Sequence, residues 1–190
     1  MTFWGTDLGS PAFNGEPKRK YKFTMQIGDL TDDGVLWYLK STNKPEVEVS
    51  SGTEHKYLGH TFKFPGVVTW NTIESTLVDP ITENAARKLL QKLRNSGYVF
   101  PEAPGALETV SKNKAVEALG PVVINQIDSD GNPVETWTLH NPFISKVGFG
   151  DLDYGSEDLS EISLSITYDW ATFSDLVGNR LRRRWTFSRS

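Results

Sequence analysis

Apolar and polar residues alternate without a break over 162–170, in Ile162-Ser163-Leu164-Ser165-Ile166-Thr167-Tyr168-Asp169-Trp170. A period of two puts one face in a core and the other in water, so a closing strand is predicted with Ile162, Leu164, Ile166, Tyr168 and Trp170 inward. The same alternation over 20–28 predicts an opening strand through Tyr21, Phe23, Met25 and Ile27. Further strands are expected over 35–41, 56–64, 67–78, 122–127 and 134–140, the last continuing over 142–150 after a break. Turns are read at 31–34, at Ser50-Ser51-Gly52, at Pro65-Gly66 and at Asp128-Ser129-Asp130-Gly131-Asn132. The segment 42–56 is a long excursion with a short alternating stretch, Glu46-Val47-Glu48-Val49. A loop of that length in a small domain usually carries function or an interface.

One helix interrupts the strands, over about 80–96. Asp79 can cap it, Pro80 suits its first turn, and Asn95-Ser96-Gly97 ends it. Ala86, Leu89, Leu90 and Leu93 recur at three- and four-residue spacing and are expected to pack on a sheet, with Arg87, Lys88, Lys92 and Arg94 away from it or near the C-terminus. A short, weaker helix fits within 107–119. The fold class is therefore mainly β: an antiparallel sandwich or barrel of about seven strands with one packed helix. Three regions follow: an arm over 1–20 broken by Gly and Pro, a β domain over 21–173, and a basic tail over 174–190.

The 190 residues include six Trp, six Tyr and ten Phe, enough bulk for one β-type core. No cysteine is present, so disulfides and thiolate metal sites are excluded. No stretch is long and apolar enough for a membrane-spanning helix, and 1–20 lacks the apolar segment of a secretory leader; no membrane anchor is expected. The net charge of −4 is unevenly placed. Arg180, Arg182, Arg183, Arg184 and Arg189 fall within the last eleven residues, leaving 15 Lys+Arg against 24 Asp+Glu elsewhere, or −9. An acidic body argues against broad nucleic-acid binding. The tail, which interleaves arginines with Leu181, Trp185 and Phe187, suits a contact with phosphates or with an acidic protein surface.

Signatures of chemistry are sparse. Gly148-Phe149-Gly150 lacks the third glycine and following helix of a dinucleotide loop. In the turn 128–132 the glycine comes too early for a calcium loop, and Leu139 stands where a glutamate would close it. Asp151, Asp153, Glu157, Asp158 and Glu161 could chelate a hard cation, but a charge run is more often a solvated face. His55, His60 and His140 form no metal-binding pair at helical spacing, and no nucleophile elbow occurs. Catalytic, cofactor and metal residues are therefore set at none. A carbohydrate-binding β-sandwich is the competing reading of a different kind.

The element order, together with Lys40-Ser41-Thr42, the stretch 47–68, Thr69-Trp70-Asn71-Thr72-Ile73 and the closing strand 162–170, resembles the tail tube proteins of T-even-like contractile phages. The resemblance runs over about 21–173 and extends to tubes of type VI secretion and contractile injection systems. It implies hexameric rings stacked into a tube, each subunit giving strands to a continuous inner β-barrel. It also implies partners (sheath, baseplate and tail terminator proteins), DNA passing the lumen without specific binding, and no enzymatic activity or cofactor. The implied setting is the virion tail, assembled in the host cytoplasm. A tube initiator or terminator, a baseplate component, or the tube of a contractile injection system are the alternatives. On this reading Lys44, Glu46, Val47, Glu48, Val49, Glu54 and Lys56 are the expected contact between rings, and Arg180, Arg182, Arg183 and Arg184 the contact made by the tail.

Exchanging Glu46 and Glu48 for Lys together should impair ring stacking while shifting subunit stability by less than about 1 kcal/mol, because exposed charges weigh little in one fold but recur at every copy. Thermal melting and electron microscopy of the double variant would check this; tubes of normal length would remove the inter-ring assignment.

Overall fold

Alternating burial along several strands builds two antiparallel sheets face to face, in a computed structural model that describes residues 18–28, 30, 36–81, 84–99 and 108–175. The strands are β1 (Phe23–Ile27), β2 (Leu39–Thr42), β3 (Val47–Tyr57), β4 (His60–Trp70), β5 (Ile73–Val78), β6 (Val122–Ile127), β7 (Pro133–His140), β8 (Phe143–Gly148), β9 (Glu161–Thr167) and β10 (Trp170–Asp175). The helices are α1 (Ala85–Asn95) and α2 (Lys112–Leu119), between β5 and β6. Sheet 1 has the order β1-β6-β7-β10 and sheet 2 the order β2-β5-β9-β8, while β3 and β4 pair only with each other. All neighbours run antiparallel.

The core lies between the sheets. Met25, Ile27, Val122, Ile124 and Leu139 come from sheet 1; Ile73, Leu77, Ile162, Leu164 and Ile166 come from sheet 2; Ala85, Leu89 and Leu119 come from the helices. Gly28 and Gly120 let the end of β1 meet the turn after α2. Gly28 has φ +47, and a Cβ there would stand 2.2 Å from the Leu119 carbonyl oxygen, so only glycine fits.

The mainly β, antiparallel architecture is as the alternation predicts, but there are ten described strands rather than about seven, and α2 occupies the second part of the weak helical segment. Three differences have clear causes. The predicted strand 162–170 is two: β9 ends in sheet 2, the chain turns at Tyr168-Asp169, and β10 begins in sheet 1. Asp169 N donates to the His140 carbonyl (3.0 Å), and the Asp169 carboxylate accepts from Lys112 (2.8 and 2.7 Å) and Asn141 (2.8 Å). Asn141, at φ 53, makes the same crossing between β7 and β8. The alternation survives the corner, so Trp170 reads as core. It is instead exposed and stacks on His140 with ring centroids 4.9 Å apart.

The helix begins at 85 rather than 80. Asp79 does cap it, but from outside, accepting from Ala85 N (3.0 Å), while Asn84 is the N-cap and accepts from Arg87 N (2.8 Å). Ala85 and Leu89 are buried and Ala86 packs on the core, whereas Leu90 faces solvent, a correction to the predicted stripe. Lys92 is buried, where the sequence places it outside. Its ammonium donates to the carbonyls of Ala118 (2.9 Å) and Leu119 (3.5 Å), so a cation caps the negative end of α2. The arm over 1–17, the turn 31–34 and Arg180, Arg182, Arg183 and Arg184 lie outside the described residues. No described helix is long and apolar enough to cross a membrane.

Leu89→Ala should cost about 2–5 kcal/mol by leaving a cavity under α1, and Leu90→Ala less than about 1 kcal/mol. Denaturant unfolding of the two variants checks the orientation of the helix; equal losses would contradict it.

Candidate interaction surface

Within the excursion the sequence holds one long β-hairpin. Tyr57 and His60 pair across Leu58 (φ 45) and Gly59 (φ 80), a two-residue turn with both centres left-handed. Such turns match the twist of paired strands and normally carry Asn-Gly or Asp-Gly. Leu-Gly lacks that signature, so 56–64 reads from sequence as one strand. Two other expected breaks also lie inside strands: Ser50-Ser51-Gly52 in β3 and Pro65-Gly66 in β4. The register shifts between Val49 and Ser51 and again between Ser51 and Glu54, and Ser51 pairs with Pro65. A bulge on an unflanked strand is where proline can sit without breaking a ladder. Gly52 and Gly66 touch there: a Cβ on Gly66 would stand 3.1 Å from Gly52 Cα, and one on Gly52 2.7 Å from the Phe64 carbonyl oxygen.

Every residue of β3 and all of β4 but Trp70 are exposed. This includes Val47, Val49, Tyr57, Phe62, Phe64, Val67 and Val68, with Val67 at 72%, and Leu58 in the turn is exposed at 81%. At the tip, His55 pairs with Phe62 and Tyr57 with His60, while Glu54 with Lys63 and Lys56 with Thr61 fill the other face. One face is thus aromatic and imidazole, the other charged. The Glu54–Lys63 ion pair (3.6 Å) is exposed and contributes little. Of the residues expected at the contact, Glu46, Val47, Glu48, Val49, Glu54 and Lys56 stand on this surface; the aromatic residues of the tip were not foreseen.

Lys44 differs. It turns toward the sandwich and donates to Gln126 Oε1 (2.6 Å) and Glu135 Oε1 (2.7 Å). Glu135, on β7 and 5% exposed, also accepts from Lys18 and from the Trp137 indole (2.6 Å). Burial pushes the Glu135 carboxyl up, but the hydrogen bonds from Lys18, Lys44 and Trp137 outweigh it and hold it at about 2. Nothing in the sequence flags a glutamate in the alternation of β7 as a buried hub. At its base the hairpin also meets sheet 2: Asn43 Oδ1 accepts from Glu74 N (2.6 Å), Asn43 Nδ2 donates to the Thr72 carbonyl (3.3 Å), and Trp70 lies 6.0 Å from the Tyr168 ring.

Beside the hairpin, a groove of about 990 Å³ opens between β1 and β2, lined by Tyr21, Trp37, Leu39, Lys40 and Trp137 among others. These strands are edges of the two sheets, so the groove is flanked by unpaired strand backbone. The acidic side chains of 151–161 do not converge. Asp153 accepts from Gly155 N (2.9 Å), Asp158 from the Ser156 hydroxyl (2.9 Å), and Glu161 pairs with Lys40. Among the described residues no group of three His, Asp or Glu is placed to hold a metal.

The fold as a whole is found in solved structures. The chain superposes on a chain of the cryo-EM structure of an extracellular contractile injection system, the PVC sheath/tube terminator in the extended state (TM-score 0.63, 17% identity, 84% of this chain and 97% of that one). The chain shares its fold. It similarly matches the PVC sheath-tube complex in the extended state (TM-score 0.58, 16% identity, 84% and 93%) and the tube-terminating cap of the anti-feeding prophage (TM-score 0.56, 15% identity, 92% and 99%). No family model matches the sequence, and no curated protein matches it significantly.

The Glu135 carboxyl, at about 2 folded against about 4.5 unfolded, stabilises the fold above the unfolded value and loses that contribution as pH falls from about 5 to 2. Both lysines are half exposed, so the gain is on the order of 2 kcal/mol rather than the full value of the shift. Urea unfolding across that window should show a smaller acid loss in Glu135→Gln than in the parent chain; identical slopes would contradict the assignment.

Proposed function

We propose that this chain is the repeating subunit of the inner tube of a contractile tail, forming rings of six that stack inside a sheath. The observation that carries the reading is the hairpin. A fold shared with chains of sheath-tube and terminator assemblies bears a two-stranded projection whose apolar residues are left exposed by the other described residues. A second copy is the occupant that fits. Stacking copies would cover Val47, Val49, Phe62 and Phe64 at every subunit, and the open edges β1, β2, β8 and β10 allow strands of adjacent copies to join into one inner barrel.

In this role the protein performs no bond chemistry. Its work is to present a smooth wall, and an acidic body keeps a polyanion such as DNA from adhering while it slides. The partners are other copies, the sheath, the baseplate and the tail terminator, and the particle is a phage tail assembled in the host cytoplasm. The basic tail with Arg180, Arg182, Arg183 and Arg184 would contact an acidic protein surface. A single-ring role is the second reading, favoured by the likeness to a tube-terminating cap that covers 92% of this chain.

Negative-stain electron microscopy of the purified chain, with solution mass in parallel, tests the proposal. Hollow tubes of uniform width are expected, nucleated by a cognate baseplate if the chain alone stays monomeric. Single rings under both conditions would favour the cap, and monomers under both would overturn the tube.

A further inference from the structure

The direction in which the hairpin leaves the sandwich is set by two adjacent residues tied to different sheets. Asn43 is fixed to sheet 2 through the backbone of Glu74 and Thr72. Lys44 is fixed to sheet 1 through Gln126 of β6 and Glu135 of β7. Pro45 follows, with a locked φ, and holds Lys44 extended, so the orientation of Lys44 passes stiffly into β3. A further anchor at the base, Trp70 against Tyr168, joins the end of β4 to the residue after β9, again on the sheet 2 side. Without the Lys44 contact the hairpin would be held along one sheet alone and could pivot about it.

We propose that Glu135 is the positioning residue that aims the hairpin. Its carboxylate is buried on β7, yet its ion-pair partners come from outside sheet 1: Lys44 from the hairpin base and Lys18 from the segment ahead of β1. Gln126, the other acceptor for Lys44, donates to the Arg19 carbonyl (3.2 Å), so residues 18–19 belong to the same cluster. The charged and titratable groups around Glu135 are Lys18, Lys44 and, opposite it in the β7–β10 register, Asp175. The Trp137 indole, tilted against Phe173 with centroids 4.9 Å apart, donates to Glu135 from its own strand and fixes the carboxylate's orientation. A buried charge on a rigid strand, gripping a lysine beside a proline, serves aim more than stability, since a pair with half-exposed lysines contributes modestly. The inference concerns the hairpin assigned above to contact between copies, and rests on that reading for its purpose though not for its geometry.

The chain has no cysteine, so two can be introduced as spin-label sites without interference: Thr61→Cys at the hairpin tip and Ser174→Cys on β10, both exposed. Electron–electron double resonance on the unassembled full chain then reads the tip-to-sandwich distance. A narrow distribution is expected in the parent, and a broadened, shifted one in Glu135→Gln and in Lys44→Met, which keeps the side-chain stem and the Lys18–Glu135 pair. Glu135→Asp should restore part of the narrow peak. A distribution unchanged by both variants, or already as broad in the parent, would overturn the inference. Should Glu135→Gln fail to fold, Lys44→Met decides alone. Tube formation is scored separately: a parent that never assembles but responds in distance refutes the tube and keeps the aiming role, whereas a parent that assembles with no response in distance does the reverse.

Discussion

A two-stranded hairpin in water has no inside. Both of its faces are wet, each strand has one unpaired edge, and such a unit is marginally stable at best. The β3–β4 hairpin is in that position along nearly its whole length, with Val49, Phe62, Phe64 and Val68 half or more exposed. The sandwich beneath it is complete without it, because the core draws on both four-stranded sheets and both helices and takes only Trp70 of the hairpin as a partly buried neighbour. The described residues of one chain therefore leave the apolar surface of the hairpin uncovered, and the proposed contact between copies would bury it. The open sheet edges fit the same account.

How much of this can be read from the sequence depends on whether local pattern and tertiary path agree. They agree in β6, where Val122, Ile124 and Gln126 alternate with half-buried neighbours, and in the 128–132 turn, where Asp128 Oδ1 accepts from the amides of Asp130 and Asn132 (both 2.8 Å). They also agree in Ile162, Leu164, Ile166 and Tyr168, all buried. They part where the chain changes sheet, since alternation continues through Tyr168-Asp169 and carries Trp170 into a core it does not enter. They part again in the hairpin, whose strands face water on both sides so that their alternation marks no core, and whose turn uses Leu58. Ser-Gly and Pro-Gly pairs that elsewhere punctuate elements lie here within a bulge.

The site shows the same division. Exposed acids and valines between 46 and 56 are visible as a mixed surface segment. Glu135 and Lys92 are not, because a buried charge in an otherwise ordinary strand or helix has no periodic signature; only the third dimension brings Lys18 and Lys44 to one and the carbonyls of α2 to the other. Charged residues that link separate elements are the part of a β-sandwich least accessible to pattern.

The contact of Gly52 with Gly66 divides the hairpin into two lengths with independent registers. Residues 54–63 are aligned by their own turn and cross-strand pairs, while 47–49 and 68–70 are aligned by the anchors at the base. The outer length can therefore exchange its side chains, and hence its choice of partner, without disturbing how the inner length is fastened. The joint makes the tip a replaceable cassette on a fixed mount, a place where specificity can diverge while the body of the subunit stays the same.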